Sequence, residues 1–182
     1  TGSSGRGSHY DPQTVGEPHP CLSVVVPCFN ERATISTVVG QVLASPWTSE
    51  VIIVDDGSTD GTRDILAQMD DPRVQVHLQP YNQGKGAALR RGFSEATAPY
   101  VIVQDADLEY DPSDYTALVA PILEGRADVV YGSRLLGGDL RRGYLGNYLA
   151  NRFLTFASNR FTGLGLTDME TCYKVMRTDV LR

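Results

Sequence analysis

LSVVVP (residues 22–27) and EVIIVDD (50–56), with ATISTVVGQVLA (33–44) between them, decide how this chain folds. The two flanking runs are continuous, β-branched and apolar, the pattern of strands buried on both faces. The segment between them has helical spacing, with Ile35, Val38, Val39, Val42 and Leu43 on one stripe. A buried strand, an amphipathic helix and a second buried strand make a parallel β-α-β unit.

The alternation continues downstream. Gly61 to Met69 reads as a short helix, RVQVHLQ (73–79) as a third strand and GKGAALRRGFSEA (84–96) as a helix. YVIVQDAD (100–107) is a fourth strand running into acid. Asp111, Pro112 and Asp114 give an N-cap, a first-position proline and an early acid for a helix that runs to Glu124 and stops at Gly125. ADVVYGS (127–133) completes the pattern as a fifth strand. The expectation is an α/β fold with a mostly parallel sheet and helices on both faces. Ligands of such sheets bind beyond the carboxyl ends of the strands, which is where the acids and glycines fall.

Composition narrows the function. The chain has 182 residues, enough for one domain, and a formal net charge of -6. That balance excludes general binding of nucleic acid, which needs a basic face. Three cysteines, Cys21, Cys28 and Cys172, form no CxxC pair and read as buried or reactive thiols of a reducing compartment. No apolar run approaches the roughly 18 residues of a membrane span. Residues 1–20, TGSSGRGSHYDPQTVGEPHP, read as a disordered extension or a remnant of cloning, so the folded domain is expected over 21–182.

Three loops carry chemistry. VDDGSTDGT (54–62) sets Asp55 and Asp56 where the second strand leaves the sheet; the plainer reading is an Asx turn. A calcium loop fails, because Ala67 stands where the bidentate glutamate is needed and a strand precedes the loop. DADLEYDP (105–112) follows the fourth strand, and Asp105 and Asp107 can reach one Mg2+ or Mn2+ whose shell is completed by substrate phosphate. YNQGKGAALRRG (81–92) puts Lys85 and two glycines at a helix start, where amides and the dipole attract anions.

VVVPCFNERATI, VDDGSTDGT, NQGKGAALRRG, DADLEYDP, GSR and TDMETCYK occur here in an order and spacing that resemble family 2 glycosyltransferases. They look most like the polyprenyl-phosphate branch, which includes dolichyl-phosphate mannose and glucose synthases. The resemblance runs from about Leu22 to the C-terminus and implies the nucleotide-diphosphosugar transferase (GT-A type) fold. It implies that Pro27, Asn30, Glu31, Asp55 and Asp56 hold base and ribose, with Lys85 beside the donor. Asp105, Ala106 and Asp107 match the motif for metal and diphosphate. Glu109 stands where mannose synthases often carry glutamine, and is a candidate third metal ligand.

The resemblance implies an inverting transferase that moves a sugar from UDP-glucose or GDP-mannose to a lipid phosphate at the cytosolic, inner face of a membrane. An anionic acceptor oxygen needs positioning cations more than a base. Arg134 of GSR is the first candidate. Arg152 is the second, within the aromatic-rich GYLGNYLANRFLTFASNRF (143–161), which suits a buried amphipathic helix or a lipid-facing one equally. Asp168 matches an acid that recognises sugar or acts as base, or it only caps an element. Relatives continue past the equivalent of Arg182, so a C-terminally truncated catalytic domain is expected. Two alternatives stay open: an enzyme forming a polysaccharide or glycan linkage, and a nucleotide-sugar binding module inactive through truncation.

Overall fold

A computed structural model describes residues 17–133, 154–160 and 171–181. In chain order the elements are β1 (Leu22–Cys28), α1 (Ile35–Ala44), β2 (Thr48–Asp55), α2 (Thr62–Leu66), β3 (Val74–Leu78) and α3 (Lys85–Glu95). There follow β4 (Tyr100–Val103), a 3-10 turn at Pro112–Asp114 leading into α4 (Tyr115–Leu123), β5 (Val129–Tyr131) and β6 (Lys174–Arg177). Residues 154–160 are helical.

The six strands lie in the order β3-β2-β1-β4-β6-β5. β1 pairs in parallel with β2 and β4, and β2 with β3. β6 runs antiparallel to both β4 and β5. The expected α/β architecture with a mostly parallel sheet is therefore present, with one reversed strand that sequence reading did not foresee.

Successive strand residues point to opposite faces, and both faces are apolar. Val24, Val26, Val51, Ile53, Ile102 and Val175 share a core with Val38, Val39 and Val42 of α1 and with Leu118, Val119 and Ile122 of α4. Val25, Ile52, Val54 and Val101 pack on the other face against Ala88 of α3. Helix α3 approaches β1 closely because of Gly92: a Cβ there would lie 2.3 Å from Cγ1 of Val25.

Several boundaries differ from expectation. The second helix closes at Leu66 instead of Met69, and β4 ends at Val103, so Asp105 and Asp107 sit in a loop beyond the strand. That loop, not an extended strand, brings the two acids to one side. The expected N-cap is formed, with Asp111 Oδ1 accepting from the Ser113 amide at 2.9 Å. β6 escaped notice because it has four residues with a charge at each end, and only Val175 is fully buried.

At the amino end of the sheet, Glu50 is buried and its Oε1 accepts from the Ser23 hydroxyl (2.5 Å), the Thr97 amide (2.7 Å) and hydroxyl (2.9 Å) and the Ala98 amide (3.2 Å). Oε2 accepts from Gln75 Nε2 at 3.0 Å. Burial pushes this carboxyl up, but the hydrogen bonds from Ser23, Thr97 and Ala98 outweigh it and hold the group below its ordinary value of 4.5. A depressed folded value means stability that is present above the unfolded value and lost as pH falls through the folded one. Glu50→Gln should therefore be less stable than wild type near neutrality but lose less between about pH 5 and pH 3. Urea unfolding across that range checks it; equal pH slopes for the two proteins would refute the role given to Glu50.

Candidate active site

The carboxyl ends of β1, β2 and β4 open into one cleft. The loop after β1 is zipped to the loop after β2. Asn30 donates its amide to Ser58 Oγ (2.9 Å) and accepts from the Thr59 amide at Oδ1 (2.9 Å). Glu31 and Arg32 donate their amides to Thr62 Oγ1 (3.0 Å) and Asp60 Oδ2 (3.2 Å). Asn30 adopts φ 57, a left-handed conformation that asparagine tolerates better than most residues. Asp60, tied to the Thr62 hydroxyl above all, is held below the usual carboxylate range.

The adjacent acids Asp55 and Asp56 diverge. Asp55 is fully buried, its Oδ1 accepting from Arg63 Nε at 2.6 Å and from the Ser58 amide at 3.2 Å. Arg63 also donates to the Gln79 carbonyl. Asp55 Oδ2 has no partner among the described residues. Asp56 turns toward α3: Oδ1 accepts from the Gln83 amide and Oδ2 from the Gly84 amide, each at 2.8 Å. Its own amide donates to the Cys28 carbonyl at 2.8 Å. Gly57, at φ 84, lets this turn meet the next loop, since a Cβ there would lie 2.6 Å from the Asn82 nitrogen.

With α3 placed this way, Lys85 reaches across to the acidic loop, and its Nζ lies 2.5 Å from Asp105 Oδ1. Burial alone would pull the Lys85 amine down, but the hydrogen bond and charge of Asp105 prevail and hold it above its ordinary value. Asp107 Oδ1 accepts from the Glu109 amide at 3.0 Å across Leu108, which stands at φ 65.

The cleft is lined by Pro27, Cys28, Phe29, Glu31, Asp56, Asn82, Gly84, Lys85, Ala88, Asp105, Ala106 and Asp107. It gathers seven of the residues anticipated from the sequence: Pro27, Glu31, Asp56, Lys85, Asp105, Ala106 and Asp107. Asn30, Asp55 and Glu109 are not in its wall. Arg134, Arg152 and Asp168 lie outside the described residues. Phe29 and Asn82 also line the cleft; each sits inside a quoted motif, but only the structure shows which residues of those loops face it.

Cys28 reaches the cleft wall but is no nucleophile. Burial, and then the charges of Asp55, Glu31 and Asp60, push its thiol up to about 12. Burial lifts Cys21 to about 11. No group of three His, Cys, Asp or Glu side chains converges among the described residues. A divalent ion here would draw on two carboxylates, Asp105 and Asp107, and otherwise on phosphate oxygens. Those hard oxygen donors fit Mg2+ or Mn2+.

The profile of Glycosyl transferase family 2 matches residues 23–182. Polyprenol monophosphomannose synthase of Mycolicibacterium smegmatis is 32% identical over 192 residues, covering 99% of this chain and 70% of that protein. Undecaprenyl-phosphate 4-deoxy-4-formamido-L-arabinose transferase of Aeromonas hydrophila is 28% identical over 170 residues, covering 88% of this chain and 50% of that one. Among solved structures, glucosyl-3-phosphoglycerate synthase from Mycobacterium tuberculosis in complex with Mn2+ and UDP-glucose superposes with a TM-score of 0.67 at 27% identity. That match covers 88% of this chain and 57% of the synthase. The chain thus spans little more than half the length of this solved relative, whose fold it shares.

Replacing Asp56 by Ala removes two charge-assisted hydrogen bonds that fix the start of α3, a loss of about 1.5–3 kcal/mol for each such contact at most. Asp56→Ala should lower the urea midpoint and weaken nucleotide binding together. An unchanged midpoint would show that the 83–84 turn holds itself.

Proposed function

The chain belongs to glycosyl transferase family 2, and from that premise we propose that it transfers a hexose, with inversion, from a nucleoside-diphosphate sugar to a polyprenyl phosphate. The donor is UDP-glucose or GDP-mannose, and the reaction takes place at the inner face of a membrane with the protein held peripherally. No helix among the described residues is long and apolar enough to cross a membrane. The observation that carries the reading is the gathering of Lys85, Asp105 and Asp107 with Glu31 and Asp56 in a single cleft. The lysine and the acid pair suit a diphosphate with its counter-ion, and Glu31 and Asp56 offer acceptors to a nucleoside.

In this reading Asp105 and Asp107, with Glu109 beside them, would hold Mg2+ or Mn2+, and the ion would supply positive charge to the leaving diphosphate. Lys85, already beside Asp105, meets the same charge from the helix start. Pro27, Asn30, Glu31, Asp55 and Asp56 shape the nucleoside end. Arg134 and Arg152 grip the lipid phosphate and aim its oxygen behind the anomeric carbon. Asp168 orients the sugar. The lipid acceptor is supported by the names of the mannose and arabinose transferase relatives, and the metal and donor by the Mn2+ and UDP-glucose bound in the solved synthase.

A thermal-shift panel of UDP, GDP and their sugars tests the donor half. A ligand at 100 times its Kd adds about 2.7 kcal/mol, so the matching nucleotide with Mn2+ should raise Tm by about 5–10 °C. Asp107→Ala should abolish the Mn2+-dependent part, and equal shifts with Mn2+ and with EDTA would remove the metal from the reading. The acceptor half is tested by measuring sugar transfer. Arg134→Ala should lower transfer to a short polyprenyl phosphate by more than about tenfold, the loss of a charge-assisted contact. Equal rates for the two proteins, or transfer only to an oligosaccharide, would replace the lipid phosphate by a glycan acceptor.

A further inference from the structure

We propose that Gln104 is a positioning residue that clamps the turn carrying Asp105 and Asp107 and thereby sets its affinity for a divalent ion and diphosphate. The inference rests on the reading of those two aspartates as the ion's ligands. Gln104 is the first residue beyond β4, wholly buried, with its amide donating to the Val25 carbonyl at 3.0 Å. Its side-chain Nε2 donates to the carbonyl of Asp105 at 3.1 Å and to that of Tyr110 at 3.3 Å. These two carbonyls bracket the acidic turn. Oε1 accepts from the hydroxyls of Tyr115 and Tyr173, each at 2.9 Å. All four hydrogen-bonding positions of the amide are used. Carbonyls only accept, so the NH2 must face them and the amide can have no other orientation.

The clamp is itself gripped from two sides. Tyr115 comes from the first turn of α4, and Tyr173 from the residue before β6. Tyr110 and Tyr173 pack with ring centroids 4.6 Å apart, and the Tyr110 hydroxyl accepts from the Cys172 amide at 3.0 Å. An apolar residue would fill this place without the cost of burying a primary amide. What the amide adds is a hold on both ends of a turn that contains Leu108 in a left-handed conformation, which a leucine rarely keeps unless its surroundings enforce it. Partners that orient a ligand from behind shift metal affinity by about 10–100-fold when removed.

The test measures UDP and GDP binding by calorimetry with Mn2+ and with EDTA, for wild type, Gln104→Glu, Gln104→Met, Tyr173→Phe and Asp107→Ala. Gln104→Glu sets an oxygen against both carbonyls, and Mn2+-dependent affinity should fall by about 10–100-fold while binding in EDTA stays at the wild-type value. If that variant does not fold, the uncharged Gln104→Met carries the same expectation. Tyr173→Phe, which removes one hydroxyl, should shift affinity the same way by less. Wild-type Mn2+ dependence in the folded Gln104 variants, or in Tyr173→Phe should neither fold, overturns the clamp. So does an equal loss with and without metal, which marks packing alone. If Asp107→Ala keeps Mn2+-dependent binding, the metal reading itself falls; if it abolishes that binding while the Gln104 variants match wild type, only the clamp falls.

Discussion

The carboxylate of Asp56 is the contact on which the arrangement of the cleft depends. Its two oxygens bind the Gln83 and Gly84 amides, and its own amide binds the Cys28 carbonyl. One residue thus joins the ends of β1 and β2 to the start of α3. Without that join the placement of Lys85 opposite Asp105 would rest on the packing of α3 against the sheet, on the Gly84 amide's bond to Asn82 Oδ1 and on the Gln83 side chain's bond to Gln79. A charged acceptor meeting two main-chain donors is among the stronger hydrogen bonds available to a protein, and here it is spent on geometry.

Asp55 and Asp56 show how far sequence carries and where it stops. Their position at the end of an apolar run marks them as cleft-forming, and the parallel sheet follows from the same runs. Which of the two faces the cleft is not legible, because the divergence depends on Arg63 taking Asp55 from beneath. Asn30 likewise reads as a binding residue, yet its side chain is engaged with the Thr59 amide. Lys85 and the Asp105–Asp107 pair were recognisable from helix-start and strand-end positions, and the structure brings them together. β6 was not recognisable, since its place in the sheet comes from neighbours about seventy residues away, and propensity reports nothing about partners.

The charge pattern of the cleft is also a property of assembly. A chain with net charge -6 sets one lysine, Lys85, against the acid pair of its cleft, its Nζ 2.5 Å from Asp105 Oδ1. The surrounding acids are neutralised locally: Asp55 by Arg63, Asp60 and Asp56 by main-chain amides. Asp105 and Asp107 share the cleft wall with Glu31 and Asp56, and Lys85 offsets the charge of Asp105.

The reversed strand β6 has a consequence for how the protein is made. The run β3-β2-β1-β4 consists of neighbours that all emerge within the first part of the chain, and it can pair as soon as β4 is complete. β5 cannot join it, because the site beside β4 belongs to β6. Its hydrogen-bonding partner is roughly forty residues further on, some seconds later at ribosomal speed. During that interval β4 presents an unpaired edge, the kind of surface that recruits foreign strands. The four-residue β6 is therefore the strand that ties β5 to the rest of the sheet, and Tyr173 just before it bonds Gln104 behind the acidic loop as it does so.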